Sequence, residues 1–247
     1  MSRLIALDDG HGMETEGKRT PHITELGKFI HENEFNRAVV GYLDAELKRC
    51  GFSTLLVAPT DADTPLKART DLANSKGADA YISIHYNAID GKFDGNDPEG
   101  CSLHVYPGSS TGRKLAESIG KYLKGGTPQK YRGVIENDFH VLRETNMVAV
   151  LSENGFMDNK REALLMVSTA FQKEVAREHA QGICDYFGMK YVPEPVAPKP
   201  PQSLSLSDLP VYRIKVNGTQ IGAYRDPEQA VISALKLKPN KIELEKV

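Results

Sequence analysis

The chain has few cysteines, no long apolar run and almost no excess of charge, and each shortage removes a class of function. Cys50, Cys101 and Cys184 are the three cysteines among 247 residues. Odd in number, far apart and without a CxxC pair, they read as reduced core or surface thiols rather than a disulfide framework or metal knuckle. No apolar stretch approaches the length that spans a bilayer, so no membrane partner is expected. The start, MSRLIALDD, has four apolar residues in a row and one arginine, far short of a secretory leader. Synthesis in the cytoplasm is therefore the expectation, and work outside the cell needs a separate route out. A formal net charge of −2 supplies no basic excess to displace counterions, so no nucleic-acid partner is expected. There is no Gly-x-Ser-x-Gly elbow for a Ser-His-Asp mechanism. Walker, Rossmann and HExxH signatures are also missing, and no internal repeat is visible.

What is present begins with a sharp change of composition. Between Val192 and Pro201 five of ten residues are proline, and QSLSLS follows. Such a stretch suits neither a helix nor a central strand and favours an extended, semi-rigid spacer. The predicted division is a first domain over 1–190, a Pro/Ser-rich linker over 191–209 and a small module over 210–247. In the first domain strand-like and helix-like runs alternate. The strands are LIAL (4–7), STLLVA (53–58), AYISI (80–84), CSLHVY (101–106) and VAVLS (148–152). The helices run from Glu32 to Arg49, Asp61 to Ser75, Arg113 to Leu123 and, in two pieces, Asn159 to Phe187. Phe35, Val39, Leu43 and Leu47 recur every four positions, as one buried helix face requires. Repeated β-then-α order predicts an α/β fold with a mainly parallel twisted sheet flanked by helices. In the tail, VYRIKV and TQIGAY flank Asn217-Gly218, a strong hairpin signal. A helix over 227–235 and the strand KIELEKV complete a small α+β module of ββαβ order. A core of about 40 residues is marginal, so dimerisation through this module, or docking, would support it.

Four residues carry the chemistry. His11, His85 and Glu153 follow or flank strand-like runs, and Glu32 opens the first long helix on its buried side. In open α/β sheets functional groups gather beyond the carboxyl ends of strands. Two histidines and two glutamates so placed suggest a metal with three protein ligands, an open position and a nearby general base. Each has a plainer reading: a surface loop histidine at 11, a helix-start glutamate at 32, a satisfied core histidine at 85. Glu25 and Glu34 are rivals for a ligand role, although Glu34 is rotated off the apolar face and Glu25 falls in a loop. A carboxylate at the mouth of a sheet, as at Glu153, is costly without a cation, metal or proton-transfer role. Of the other histidines, His22 and His31 read as surface, His104 as lying on the sheet face opposite Leu103 and Val105, and His179 as solvated in a charged helix. His140 is a candidate for reaching substrate, Arg143 for pairing with a peptide carboxylate, and Asn87 opens a loop (87–100) placed to contact substrate.

The strings LDDGHG, ENEFNRA, SIHYNA and FHVLRETNMVAVLSENGFMDN resemble, in order, the motifs of zinc-dependent N-acetylmuramoyl-L-alanine amidases of the amidase-3 family. The resemblance covers residues 2–188. It implies that His11, Glu32 and His85 bind one zinc ion and that Glu153 is the catalytic glutamate. It also implies hydrolysis of the amide joining N-acetylmuramic acid to L-alanine in bacterial peptidoglycan. The family usually has proline where Asp9 stands, a second glycine where Met13 stands, and Glu-Lys-Asp where this chain has Glu32-Asn33-Glu34. The tail resembles small wall-targeting modules of phage and sporulation amidases, and the missing leader fits a phage lysin released through a pore or a lysin freed by the mother cell. A non-catalytic wall-binding protein and a zinc peptidase acting on free peptides are the competing functions.

Overall fold

The apolar run LIAL forms β1 (Leu4–Asp8) in a computed structural model that describes residues 2–95, 97–195, 212–217, 219–224 and 242–246. The strands β2 (Ser53–Leu56), β3 (Ala80–Asn87), β4 (Cys101–Val105), β5 (Tyr131–Glu136) and β6 (Val148–Phe156) complete a six-stranded sheet of order β2-β1-β3-β6-β4-β5. The pairs β1/β2, β1/β3, β3/β6 and β4/β5 are parallel, and β4 runs antiparallel to β6. The expected mainly parallel sheet flanked by helices is the architecture found.

The helix α1 (Glu32–Arg49) buries Phe35, Val39, Leu43 and Leu47 completely, the face its four-residue spacing predicts. Phe35 meets Tyr86 of β3 edge-on at 4.8 Å. On the opposite sheet face, Ala6, Tyr81, Ala149 and Leu151 pack with Ala73 of α2 (Leu66–Ser75) and with Val141 and Leu142 of the single turn α4 (His140–Arg143). Further helices are α3 (Ser110–Gly126), α5 (Lys160–Leu165) and α6 (Thr169–Phe187). All three cysteines are free and buried. No described helix is long and apolar enough to cross a membrane.

Several boundaries differ from the sequence reading. The second helix starts at Leu66, not Asp61, because Pro65 occupies its N-cap and the residue before a proline is pushed out of helical geometry. The freed segment instead supports the first loop: the Asp61 carbonyl accepts from Met13 N–H at 2.9 Å, and Asp63 accepts from Thr15 Oγ1 at 2.7 Å. β3 and β6 run further than their apolar cores, so His85 and Glu153 lie within strands rather than beyond them. They are direct register partners, and the ladder then shifts before Asn87 pairs Phe156. Gly155, with φ +146°, makes that shift possible, since a Cβ there would meet the Tyr86 ring at 2.4 Å. β5 and α4 escaped sequence reading, one being a half-exposed edge strand and the other a single turn. His179 is fully buried rather than solvated, with Nδ1 on the Val175 carbonyl at 2.8 Å and Nε2 facing Ser152 Oγ at 2.9 Å.

The chain divides into two compact units, Met1–Val167 with Phe171–Pro193, and Ser168–Ala170 with Glu194–Val247. Tyr191 and Val192 are tied to α1: Tyr191 OH donates to Glu46 Oε2 at 2.7 Å, and Arg49 Nε donates to the Val192 carbonyl at 2.9 Å. In the second unit β7 (Tyr212–Val216) pairs antiparallel with β8 (Thr219–Tyr224) and with β9 (Ile242–Lys246). Asn217 takes φ 51° between β7 and β8, the positive φ that Asn-Gly turns use. The helix expected over 227–235 and most of the proline-rich linker lie outside the described residues.

Candidate metal centre

His11, Glu32 and His85 come together from a loop, a helix start and a strand. One donor atom from each lies within 4.8 Å of the other two. The closest approaches are His85 Nδ1 to Glu32 Oε1 at 3.0 Å and His11 Nε2 to Glu32 Oε2 at 3.3 Å. Donors around a tetrahedral zinc, with bonds of about 2.0–2.1 Å, stand about 3.3 Å apart, so these residues fit such an ion. Glu32 Oε1 also accepts from the Tyr86 N–H at 3.0 Å and from Asn36 Nδ2 at 3.3 Å. Glu32 Oε2, by contrast, is buried without a hydrogen-bond partner among the described residues. A buried carboxylate oxygen with no hydrogen bond, only an imidazole nitrogen 3.3 Å away, is what a cation would satisfy.

The electrostatics agree. Burial alone would raise the Glu32 carboxyl, but the hydrogen bond and charge of His85, the charge of His11 and the Tyr86 N–H carry it down to about 2. Burial pushes His11 down to about 4, against the pull of Glu32. His85 moves the other way: burial lowers it, and the bond to Glu32 more than compensates. The ionised Glu32 and neutral His11 are already in the protonation states that metal ligation needs, whereas His85, shifted upward, would release a proton on binding a metal.

His11 holds φ 56°, a left-handed conformation that costs a non-glycine residue about 1 kcal/mol or more. Two side chains fix it there. Asn33 Nδ2 donates to the carbonyls of Asp9, Gly10 and His11, and Arg69 Nη2 donates to the His11 carbonyl at 3.0 Å. Gly10 lies against the His85 ring, where a Cβ would come within 2.6 Å of Cε1. Asp9 pairs with Arg37 at 3.1 Å. The rival glutamates are engaged elsewhere. Glu25 pairs with Lys160 at 2.6 Å, while Glu34 accepts from the His31 N–H at 2.9 Å and pairs with Lys28 at 3.0 Å.

Glu153 stands beside this cluster, across the ladder from His85. Its Oε2 is buried without a hydrogen-bond partner among the described residues. Burial pushes its carboxyl up to about 8, with the charge of Glu32 adding and those of His85 and Lys18 opposing. Ser102 of β4 is the antiparallel partner of Glu153, so Ser102, and His104 two residues on, share the Glu153 face of the sheet. His104 Nε2 meets Ser102 Oγ at 3.0 Å and Nδ1 meets Asn137 Oδ1 at 2.5 Å. Alternation had correctly set His104 opposite Leu103 and Val105, but only the strand pairing shows that this is the site's face. Lys18 was also missed; its carbonyl accepts from the Glu32 N–H at 2.9 Å, and its charge acts on both His11 and Glu153.

The other sequence candidates have partners outside the donor cluster. His140 Nε2 meets Thr70 Oγ1 of α2 at 3.4 Å, and Arg143 pairs with Asp138 at 2.6 Å and Glu144 at 2.8 Å. Asn87 ends β3, its Oδ1 accepting from the Ala88 N–H at 2.8 Å. His22 is exposed beside Phe29, and His31 caps α1.

A family model described as N-acetylmuramoyl-L-alanine amidase matches residues 5–185. The N-acetylmuramoyl-L-alanine amidase CwlM of Bacillus licheniformis is 35% identical over 176 residues, 69% of this chain and 62% of that protein. The endolysin of Bacillus phage SPP1 is 33% identical over 211 residues, 81% of this chain and 71% of that protein. Among solved structures, the N-acetylmuramoyl-L-alanine amidase of Clostridium difficile 630 superposes with a TM-score of 0.67 at 28% identity, covering 76% of this chain and 97% of that one.

Proposed function

Because the chain belongs to the amidase-3 family of N-acetylmuramoyl-L-alanine amidases, we propose that its site hydrolyses the amide between N-acetylmuramic acid and L-alanine in peptidoglycan, with zinc held by His11, Glu32 and His85. A zinc ion there would acidify a water and polarise the scissile carbonyl. The rest belongs to the chain. Glu32 contributes the negative charge of the donor set, and its position is fixed by the Tyr86 N–H and Asn36. His11 is presented by the Asn33 and Arg69 clamp. Glu153 holds and returns the proton: a carboxyl that burial pushes well above the usual carboxylate range is suited to accept a proton from water and donate it to the departing amine. The observation that carries the reading is the cluster of His11, Glu32 and His85 donors within 4.8 Å of one another, with buried oxygens of Glu32 and of Glu153, the register partner of His85, left without a hydrogen bond among the described residues.

Turnover of a soluble muropeptide before and after chelation tests the metal. Hydrolysis should stop on chelation and return with added zinc; turnover that survives complete removal of the metal would exclude this mechanism. The likeness to a phage endolysin supports a lysin of bacterial walls, for which the tail would serve as a wall-binding module.

A further inference from the structure

A buried polar chain runs beneath both histidines. Asp8 and Ser83 share the sheet face of His85, Asp8 being the register partner of Ser83. Ser83 Oγ donates to Asp8 Oδ2 at 2.8 Å, and His85 Nε2 meets the same Oγ at 3.1 Å. Tyr81 OH donates to Asp8 Oδ2 at 2.9 Å, while Arg69 Nη1 at 2.6 Å and the Gly10 N–H at 3.2 Å donate to Oδ1. Asp8, Arg69, Tyr81 and Ser83 are each at most 1% exposed, so water does not compete for these bonds.

A hydroxyl has one proton. Ser83 gives its proton to a carboxylate that can only accept, so its lone pair must receive from the imidazole. His85 Nε2 is thereby required to carry a ring proton, so Nδ1, which without a cation donates to Glu32 Oε1 at 3.0 Å, is the nitrogen left to give up its proton and offer a lone pair to a metal. The other carboxylate oxygen, through Arg69, reaches the His11 carbonyl. From this geometry we infer that Asp8, acting through Ser83, selects the His85 tautomer that offers Nδ1 to the metal, and through Arg69 fixes the backbone of the His11 loop. Ser83 and Asp8 are thus positioning residues, the carboxylate reaching the ligand through a hydroxyl rather than directly. Partners of this kind orient ligating histidines and typically hold 10–100-fold of metal affinity.

The inference rests on the zinc reading above, and the two can fail separately. Zinc affinity of the full-length chain is measured by competition with a chromophoric chelator, and the His85 ring proton is located by long-range 1H–15N spectra of the zinc-loaded protein. Ser83→Ala and Asp8→Asn should each weaken zinc binding about 10-fold or more. The unaltered protein should show the proton on His85 Nε2. Val150→Ala, a cavity in β6 on the opposite sheet face, should lower the melting temperature yet leave zinc affinity and the ring proton unchanged. Zinc affinity of Ser83→Ala within twofold of the unaltered protein, or a ring proton on Nδ1, would overturn the inference while leaving the metal site standing. No zinc binding by the unaltered protein would remove both.

Discussion

Glu153 is a costly residue to bury, because its carboxyl has an oxygen without a hydrogen-bond partner among the described residues and sits across the ladder from His85. Its conversion to Gln keeps the shape and removes the proton acceptor. Glu153→Gln should lower turnover about 10²–10⁴-fold with zinc affinity within a few-fold of the unaltered protein; near-normal turnover would take the proton transfer away from this residue. Gly10 is the other position where one atom matters. A methyl group there would drive into the His85 ring and the Ile84 carbonyl at a φ of +44°. Gly10→Ala should therefore weaken zinc binding by about tenfold or more with a smaller effect on the melting temperature, seen by running the two titrations side by side.

At the scale of elements, α6 and β6 are joined by a buried histidine that sequence reading placed in solvent. Charged neighbours Arg177 and Glu178 hid its direction, which is set by Ser152 on the adjoining strand. Burial holds His179 at about 4, well below the ordinary histidine value of 6.5. The unfolded chain takes up a proton as pH falls through about 6.5, and the native chain does not until about 4. The stability held above pH 6.5 is therefore lost on acidification across that window, by roughly 2–3 kcal/mol between pH 7.5 and 4.5. Denaturant unfolding at the two pH values should show this loss in the unaltered protein and less of it in His179→Gln; identical acid losses would exclude His179 as the cause. The same elements show what the sequence disclosed. The α1 face was legible because its apolar spacing repeats, and that spacing set Glu32 on the buried side, while its choice as a ligand over Glu25 and Glu34 came from the family resemblance. The start of α2 was not, since Pro65 turns residues 61–64 into a support for a distant loop. Nor was the face of His104, which it shares with Glu153 because β4 pairs antiparallel with β6, a long-range fact that alternation cannot supply.

Over the whole molecule, one compact unit contains the candidate donor set and a second contains three described strands. If the second unit holds the chain on the wall, tethering raises the effective concentration of the site at an insoluble substrate. Removal of residues 196–247 should leave turnover of soluble muropeptides within about twofold and slow the clearing of intact walls by about tenfold or more. Equal loss on both substrates would instead mark the tail as part of the catalytic fold.

Digestion of purified bacterial walls by the zinc-loaded chain, with chemical identification of the new ends, reaches the central point most directly. New amino-terminal L-alanine without new reducing sugars is the expected result, abolished in Glu153→Gln. New amino termini at any other residue, or walls that bind the protein and gain no ends, would contradict an amidase acting at the lactyl–alanine bond.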